Sequence, residues 1–121
     1  MPNATILAVD DDPLMLRMLK DELEDVGYKV VGAADGKEAI ALHHSSAMDL
    51  IITDLLMPGM EGIETIIELR RRQPNLKIIA MSSGPSSNLY LAKQLGAAQV
   101  LTKPFTIQQL LASVKECLGS D

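Results

Sequence analysis

Two apolar runs in this chain end abruptly in carboxylates. Leu50-Ile-Ile-Thr53 runs into Asp54, just before a Pro58-Gly59 turn, and Ile6-Leu-Ala-Val9 runs into Asp10, Asp11 and Asp12. Buried strands do not tolerate unpaired charge, so such a carboxylate marks a strand tip that faces a cleft. Two further runs end in chemically useful residues: Ser82 and Ser83 follow one, and Lys103-Pro104 follows the other. Asp10, Asp11, Asp54, Ser82 and Lys103 together supply three carboxylates, a hydroxyl and an amine. Carboxylates this close repel one another, and a hard divalent cation such as Mg²⁺ relieves that repulsion through one or two carboxylates and retained waters. With such a cation bound, an aspartate can attack phosphorus to form an acyl phosphate. Positioning and charge neutralisation then do most of the work of phosphoryl transfer.

Those residues meet only if the strands end on one edge. Apolar strand-like runs and amphipathic helix-like stretches alternate along the whole chain. Strands are expected at Thr5–Val9, Lys29–Gly32, Leu50–Thr53, Lys77–Met81 and Gln99–Leu101. Helices are expected at Pro13–Val26, from Asp35 to about Ser45, and at Ile63–Arg72, Asn88–Leu95 and Ile107–Leu118. Asp12 is a candidate N-cap with Pro13 at the first helical position, and Gly27 stops that helix. Asp35 with Glu38 three residues on resembles a capping box. The near-continuous Val/Ile/Leu strands argue for a doubly wound α/β fold, a five-stranded parallel sheet with helices on both faces. No linker or low-complexity segment interrupts the 121 residues, so residues 1–121 read as one domain with no output domain.

Composition narrows the function classes. A net charge of −5 and only three aromatic residues, Tyr28, Tyr90 and Phe105, argue against a nucleic-acid-binding face. The single cysteine, Cys117, excludes an internal disulfide framework and reads as a small buried hydrophobe in a reducing compartment. No signal segment or membrane-length apolar run is present, which points to the cytoplasm.

The segments Ile6-Leu-Ala-Val-Asp10-Asp11, Asp54-Leu-Leu-Met-Pro-Gly, Ile78-Ile-Ala-Met-Ser82 and Lys103-Pro104-Phe105 resemble, in order and spacing, a response-regulator receiver domain. The resemblance covers essentially the full length and implies a flavodoxin-like sheet of strand order 2-1-3-4-5. It implies that Asp54 is the phosphoacceptor of a two-component or phosphorelay system. Asp11 and Asp54 would ligate Mg²⁺ directly, Asp10 would act mostly through metal-bound water, and the backbone carbonyl of Leu56 would complete the protein's share. Lys103, before a cis Pro104, would hold the phosphoryl group, and Ser82 would be the switch hydroxyl. The phosphodonor would be a sensor histidine kinase or a His-phosphotransfer protein, and a further protein would read the signal. Two departures stand out. Val100 replaces the Tyr or Phe usual three residues before the lysine, and the loop after Ser82 is about one residue short.

Simpler readings compete at several positions. Asp12 reads as a cap rather than a ligand. His43-His44 and Arg70-Arg71-Arg72 read as cationic, solvated helix ends rather than as a metal site or a nucleic-acid contact. Two other functions fit part of the pattern. A haloacid-dehalogenase-like phosphatase would use Asp10 as nucleophile but leaves Asp54 without a role. A pseudo-receiver would keep the fold as an interaction module and lose the switch.

Overall fold

Alternate residues of a buried strand face opposite sides of its sheet, so each strand here must feed two cores. A computed structural model of the chain shows both; it describes residues 4–55, 62–83 and 86–119, with the backbone alone over 86–89. The elements are β1 (Thr5–Val9), α1 (Pro13–Asp25), β2 (Lys29–Ala33), α2 (Gly36–Ser45), β3 (Leu50–Asp54), α3 (Gly62–Arg72), β4 (Lys77–Ser82), α4 (Ser86–Gln94), β5 (Gln99–Thr102) and α5 (Ile107–Leu118). All strands are parallel, in the order β2-β1-β3-β4-β5. The chain is therefore a doubly wound α/β fold of the expected strand order.

Leu7, Val9, Ile51, Ile78 and Ala80 face one side and pack with Ala39 of α2, Ile66 and Leu69 of α3, and Ala92 of α4. Ile6, Ala8, Leu50, Ile52, Ile79 and Met81 face the other, against Leu19 and Leu23 of α1 and Leu110, Val114 and Cys117 of α5. Both cores are almost wholly aliphatic. Cys117 is buried there, and burial pushes its thiol up from the ordinary value.

The expected elements are all present, with systematic differences at their ends. β2, β3, β4 and β5 each run one residue further than expected; in β3, β4 and β5 backbone pairing continues onto a polar residue past the last expected rung, and in β2 onto the buried Ala33. Asp54 pairs with Met81 and Ser82 with Thr102, so both are the last rungs of strands rather than residues beyond them. The helix expected from Asn88 begins at Ser86. Asp35 caps α2 through the Glu38 N–H at 2.8 Å, but the Glu38 carboxylate reaches back to the N–H of Ala34, not to the cap itself. A full capping box, Thr106 with Gln109, starts α5 and went unread in the sequence. Gly27 and Gly96, at φ of 102° and 90°, end α1 and α4 in the left-handed region that favours glycine. Among the described residues no helix is long and apolar enough to cross a membrane.

Candidate functional site

Parallel strands bring their carboxyl ends to one edge, and each candidate residue there is held by its neighbour's backbone. The N–H of Asp10 donates to the carbonyl of Ala33 at 3.1 Å, that of Leu55 to Met81 at 3.0 Å, and that of Lys103 to Ser82 at 2.8 Å. The sheet ladder thus extends into the pocket and fixes its backbone.

The side chains converge. Carboxylate oxygens of Asp10, Asp11 and Asp54 lie within 4.8 Å of one another. The Lys103 ammonium sits between two of these groups, 2.8 Å from Asp10 Oδ2 and 2.7 Å from Asp54 Oδ2. The Lys103–Pro104 peptide is cis, as the resemblance implied. Asp10 is wholly buried, Asp54 and Ser82 are nearly so, and Asp11 is exposed. The cluster therefore has a solvent-facing side at Asp11 and a closed side at Asp10.

Electrostatics follow from that burial. Loss of solvent pushes the Asp10 carboxyl above its usual range, although Lys103 and the N–H of Asp12 both pull it down. Burial also works against the Lys103 charge, but its hydrogen bonds to Asp10 and Asp54 and their charges outweigh this and raise its pKa. The pocket is thus not three bare carboxylates. Its own ammonium offsets part of the repulsion that the sequence alone implied.

Gly62 was not singled out in the sequence, yet the pocket depends on it. A Cβ there would lie 1.9 Å from the carbonyl oxygen of Asp54 and 2.6 Å from the Cα of Leu55. The first turn of α3 therefore rests directly on the backbone of the candidate phosphoacceptor. The Leu56 carbonyl, the Pro58-Gly59 turn and residues 84 and 85 of the loop after Ser82 lie outside the described residues.

The competing readings resolve individually. Asp12 caps α1, accepting from the N–H of Leu14 at 3.0 Å, and its oxygens do not belong to the converging group. Arg71 and Arg72 both bind Glu68, and these guanidiniums, Arg72 foremost, hold its carboxyl below the usual range. Arg70 is not merely a solvated helix end. It donates to the carbonyls of Gly96 at 2.7 Å and Pro74 at 3.2 Å, tying α3 to the end of α4. The histidines lie in the last turn of α2, as expected, and each has a hydrogen-bond partner there. His44 Nδ1 accepts from Arg72 at 3.2 Å, and His43 Nε2 donates to the Gln73 side-chain oxygen at 2.6 Å. The Gln73 amide nitrogen donates to Met48, which leaves its oxygen as the acceptor. Val100 lies opposite Ala80 in the ladder, half-buried against the core under α2, α3 and α4.

Known proteins resemble this chain in both fold and sequence. Residues 6–115 match the response regulator receiver domain family. The chain is 37% identical over 113 residues to the transcriptional regulatory protein CpxR of Klebsiella pneumoniae, covering 93% of this chain and 48% of that protein. It is 34% identical over 117 residues to the alkaline phosphatase synthesis transcriptional regulatory protein PhoP of Bacillus subtilis, covering 96% of this chain and 49% of that protein. The chain thus spans about half the length of these curated relatives. The solved structure of the chemotaxis protein CheY4 of Vibrio cholerae superposes with a TM-score of 0.91 at 34% identity, over 96% of this chain and 99% of that one. An acidic strand-end pocket closed by a lysine, on this sheet and in this sequence context, has one consistent interpretation: the chain belongs to the response regulator receiver domain family.

Proposed function

We propose that this chain is the phosphoacceptor switch of a two-component or phosphorelay system, taking a phosphoryl group on Asp54 in a Mg²⁺-dependent step. The observation that carries this reading is the Lys103 ammonium held 2.7 Å from Asp54 Oδ2, beside the acidic cluster. An oxygen of Asp54 attacks phosphorus as the bond to the donor leaves, and Lys103 and Ser82 receive the oxygens of the transferred group. The donor is a histidine kinase or His-phosphotransfer protein, whose phosphorus–nitrogen bond breaks as the imidazole departs.

The donor set fits a hard divalent cation. Three carboxylates offer oxygens within 4.8 Å of one another, and Asp11 is open to solvent. Asp11 and Asp54 would hold Mg²⁺ directly, Asp10 through water, and the Leu56 carbonyl would complete the set. When bound, the cation supplies charge neutralisation at the phosphoryl oxygens. The chain's own residues then orient the nucleophile and keep Lys103 charged.

This reading makes the protein a switch that promotes its own phosphorylation and dephosphorylation, not a turnover enzyme. Its output is altered affinity for a protein partner. CpxR and PhoP are named transcriptional regulatory proteins, and that activity belongs to those whole proteins. Here Arg70, Arg71 and Arg72 engage internal acceptors, which supports a receiver that makes no direct nucleic-acid contact of its own. The phosphatase alternative is disfavoured by Asp10, whose carboxylate is fully buried with both oxygens in hydrogen bonds.

The test is labelling by acetyl phosphate with Mg²⁺. Label should appear on the unsubstituted protein and on Asp10→Asn at reduced rate, and be lost in Asp54→Asn. Label retained by Asp54→Asn but lost from Asp10→Asn would overturn the proposal.

A further inference from the structure

Asp12 joins the acidic pocket to helix α1, and the phosphoacceptor reading gives it no role. All three of its local polar groups are engaged. Its N–H donates to Asp10 Oδ1 at 2.9 Å, its carboxylate accepts from the N–H of Leu14 at 3.0 Å, and its carbonyl accepts from the N–H of Leu16 at 3.1 Å. The residue is otherwise exposed, and its carboxylate stands outside the converging group of Asp10, Asp11 and Asp54.

The consequence falls on Asp10. The terminal torsion of an aspartate is broad, so one hydrogen bond does not fix the plane of its carboxylate. Lys103 holds Oδ2 at 2.8 Å, and the Asp12 N–H holds the other oxygen, Oδ1. The direction of that N–H is set by the peptide joining Asp11 and Asp12. That peptide is anchored because Asp12 begins α1, with extended backbone at φ −89° and ψ 111° and with Pro13 at the first helical position. A weakened cap frees the peptide, and a freed peptide lets the Asp10 carboxylate turn.

We propose that Asp12 is a positioning residue for the pocket: by capping α1 it locks the N–H that orients the Asp10 carboxylate, and it acts through that bond rather than through its own charge. This deepens, and rests on, the Mg²⁺-dependent phosphoacceptor reading. Groups that orient a metal site's own ligands commonly alter metal affinity by 10–100-fold when removed. The lower end suits Asp10, which keeps its Lys103 contact.

The experiment is a Mg²⁺ titration by calorimetry of the unsubstituted protein and of Asp12→Ala, Asp12→Asn and Asp12→Ser. The Mg²⁺ dependence of acetyl phosphate labelling is measured in parallel. Ala removes the cap, whereas Asn and Ser keep a capping oxygen and remove the charge. Asp12→Ala should weaken Mg²⁺ binding about tenfold and shift the half-saturating Mg²⁺ of labelling equally, with the plateau rate little changed. Asn and Ser should restore binding to within about twofold, a rescue that a charge effect would not give. If Asp12→Ala does not fold, Asp12→Gln takes its place, because glutamine is not among the side chains that cap a helix start. Unsubstituted-level affinity in the Ala or Gln protein would overturn the proposal, as would an Asn protein as weak as Ala. Absence of Mg²⁺ binding by the unsubstituted protein would instead bring down the functional reading itself.

Discussion

Replacing Lys103 with methionine removes the cation that sits between Asp10 and Asp54 while keeping most of the side-chain volume. At an effective dielectric near 20, each contact of 2.7–2.8 Å is a gross attraction of about 6 kcal/mol. The carboxylates, within 4.8 Å of one another, repel by at least about 3.5 kcal/mol per pair on the same scale. Burying the ammonium offsets much of the attraction, since the side chains of Lys103, Asp10 and Asp54 are only 18%, 1% and 13% exposed. What remains is the cost of leaving a buried charge without its partner, about 3–5 kcal/mol. We expect a loss of that size in Lys103→Met, measured by urea denaturation followed by circular dichroism at pH 8 with EDTA present. The penalty should depend on pH. Asp10 already titrates above its usual range through burial, and removing Lys103 abolishes two of the influences that pull it down. A carboxyl whose folded pKa is raised contributes stability at low pH that is lost as pH rises through the folded value. The Lys103→Met penalty should therefore be small near pH 4 and grow toward neutrality. A loss below about 1 kcal/mol at pH 8, or one equal at both pH values, would refute the bridge as the pocket's neutralising element.

Three further outcomes are expected. Asp54→Asn gives up one attraction to Lys103 and two repulsions that roughly cancel it, so metal-free stability should change by no more than about 1 kcal/mol; a change above about 2 kcal/mol in urea melts would contradict this balance. Gly62→Ala drives a Cβ into the backbone of Asp54 and Leu55 and should cost about 2–3 kcal/mol and slow acetyl phosphate labelling, whereas unchanged labelling would separate α3 from the site. The Cys117 thiol, buried and pushed up, should react with a maleimide at pH 7 only as fast as the protein opens, which a urea series with mass spectrometry would show; prompt modification in native buffer would contradict its burial.

The fold was legible because aliphatic strands and amphipathic helices alternate without ambiguity, and Asp12 and Gly27 mark helix ends with residues that physically suit them. The site was legible because a parallel sheet turns distant strand ends into neighbours. Asp10, Asp11, Asp54, Ser82 and Lys103 could be gathered without knowing any angle. What escaped depends on backbone geometry. The rung pairing Asp54 with Met81 is invisible to a pattern that stops at the first polar residue. The need for glycine at position 62 arises from a contact with β3, not from its own helix. Arg70 looked like one of three similar arginines, and only the approach of the α4 turn distinguishes it. The neutralising position of Lys103 between Asp10 and Asp54 was also hidden, and it cancels the stabilisation that three bare carboxylates would predict for Asp54→Asn.

The hydrogen bond from the Lys103 N–H to the Ser82 carbonyl, 2.8 Å long, has a mechanical meaning. Ser82 and Lys103 are the residues proposed to receive the phosphoryl oxygens, and this rung yokes their main chains. A pull on either side chain is a pull on both strand tips. Among the described residues β5 has β4 on one side and no strand on the other, so the Lys103 tip meets no further ladder on its outer side. Motion imposed at the pocket has a short lever to the open margin of the sheet, and that lever is made of main chain. A valine at position 100 does not interrupt it.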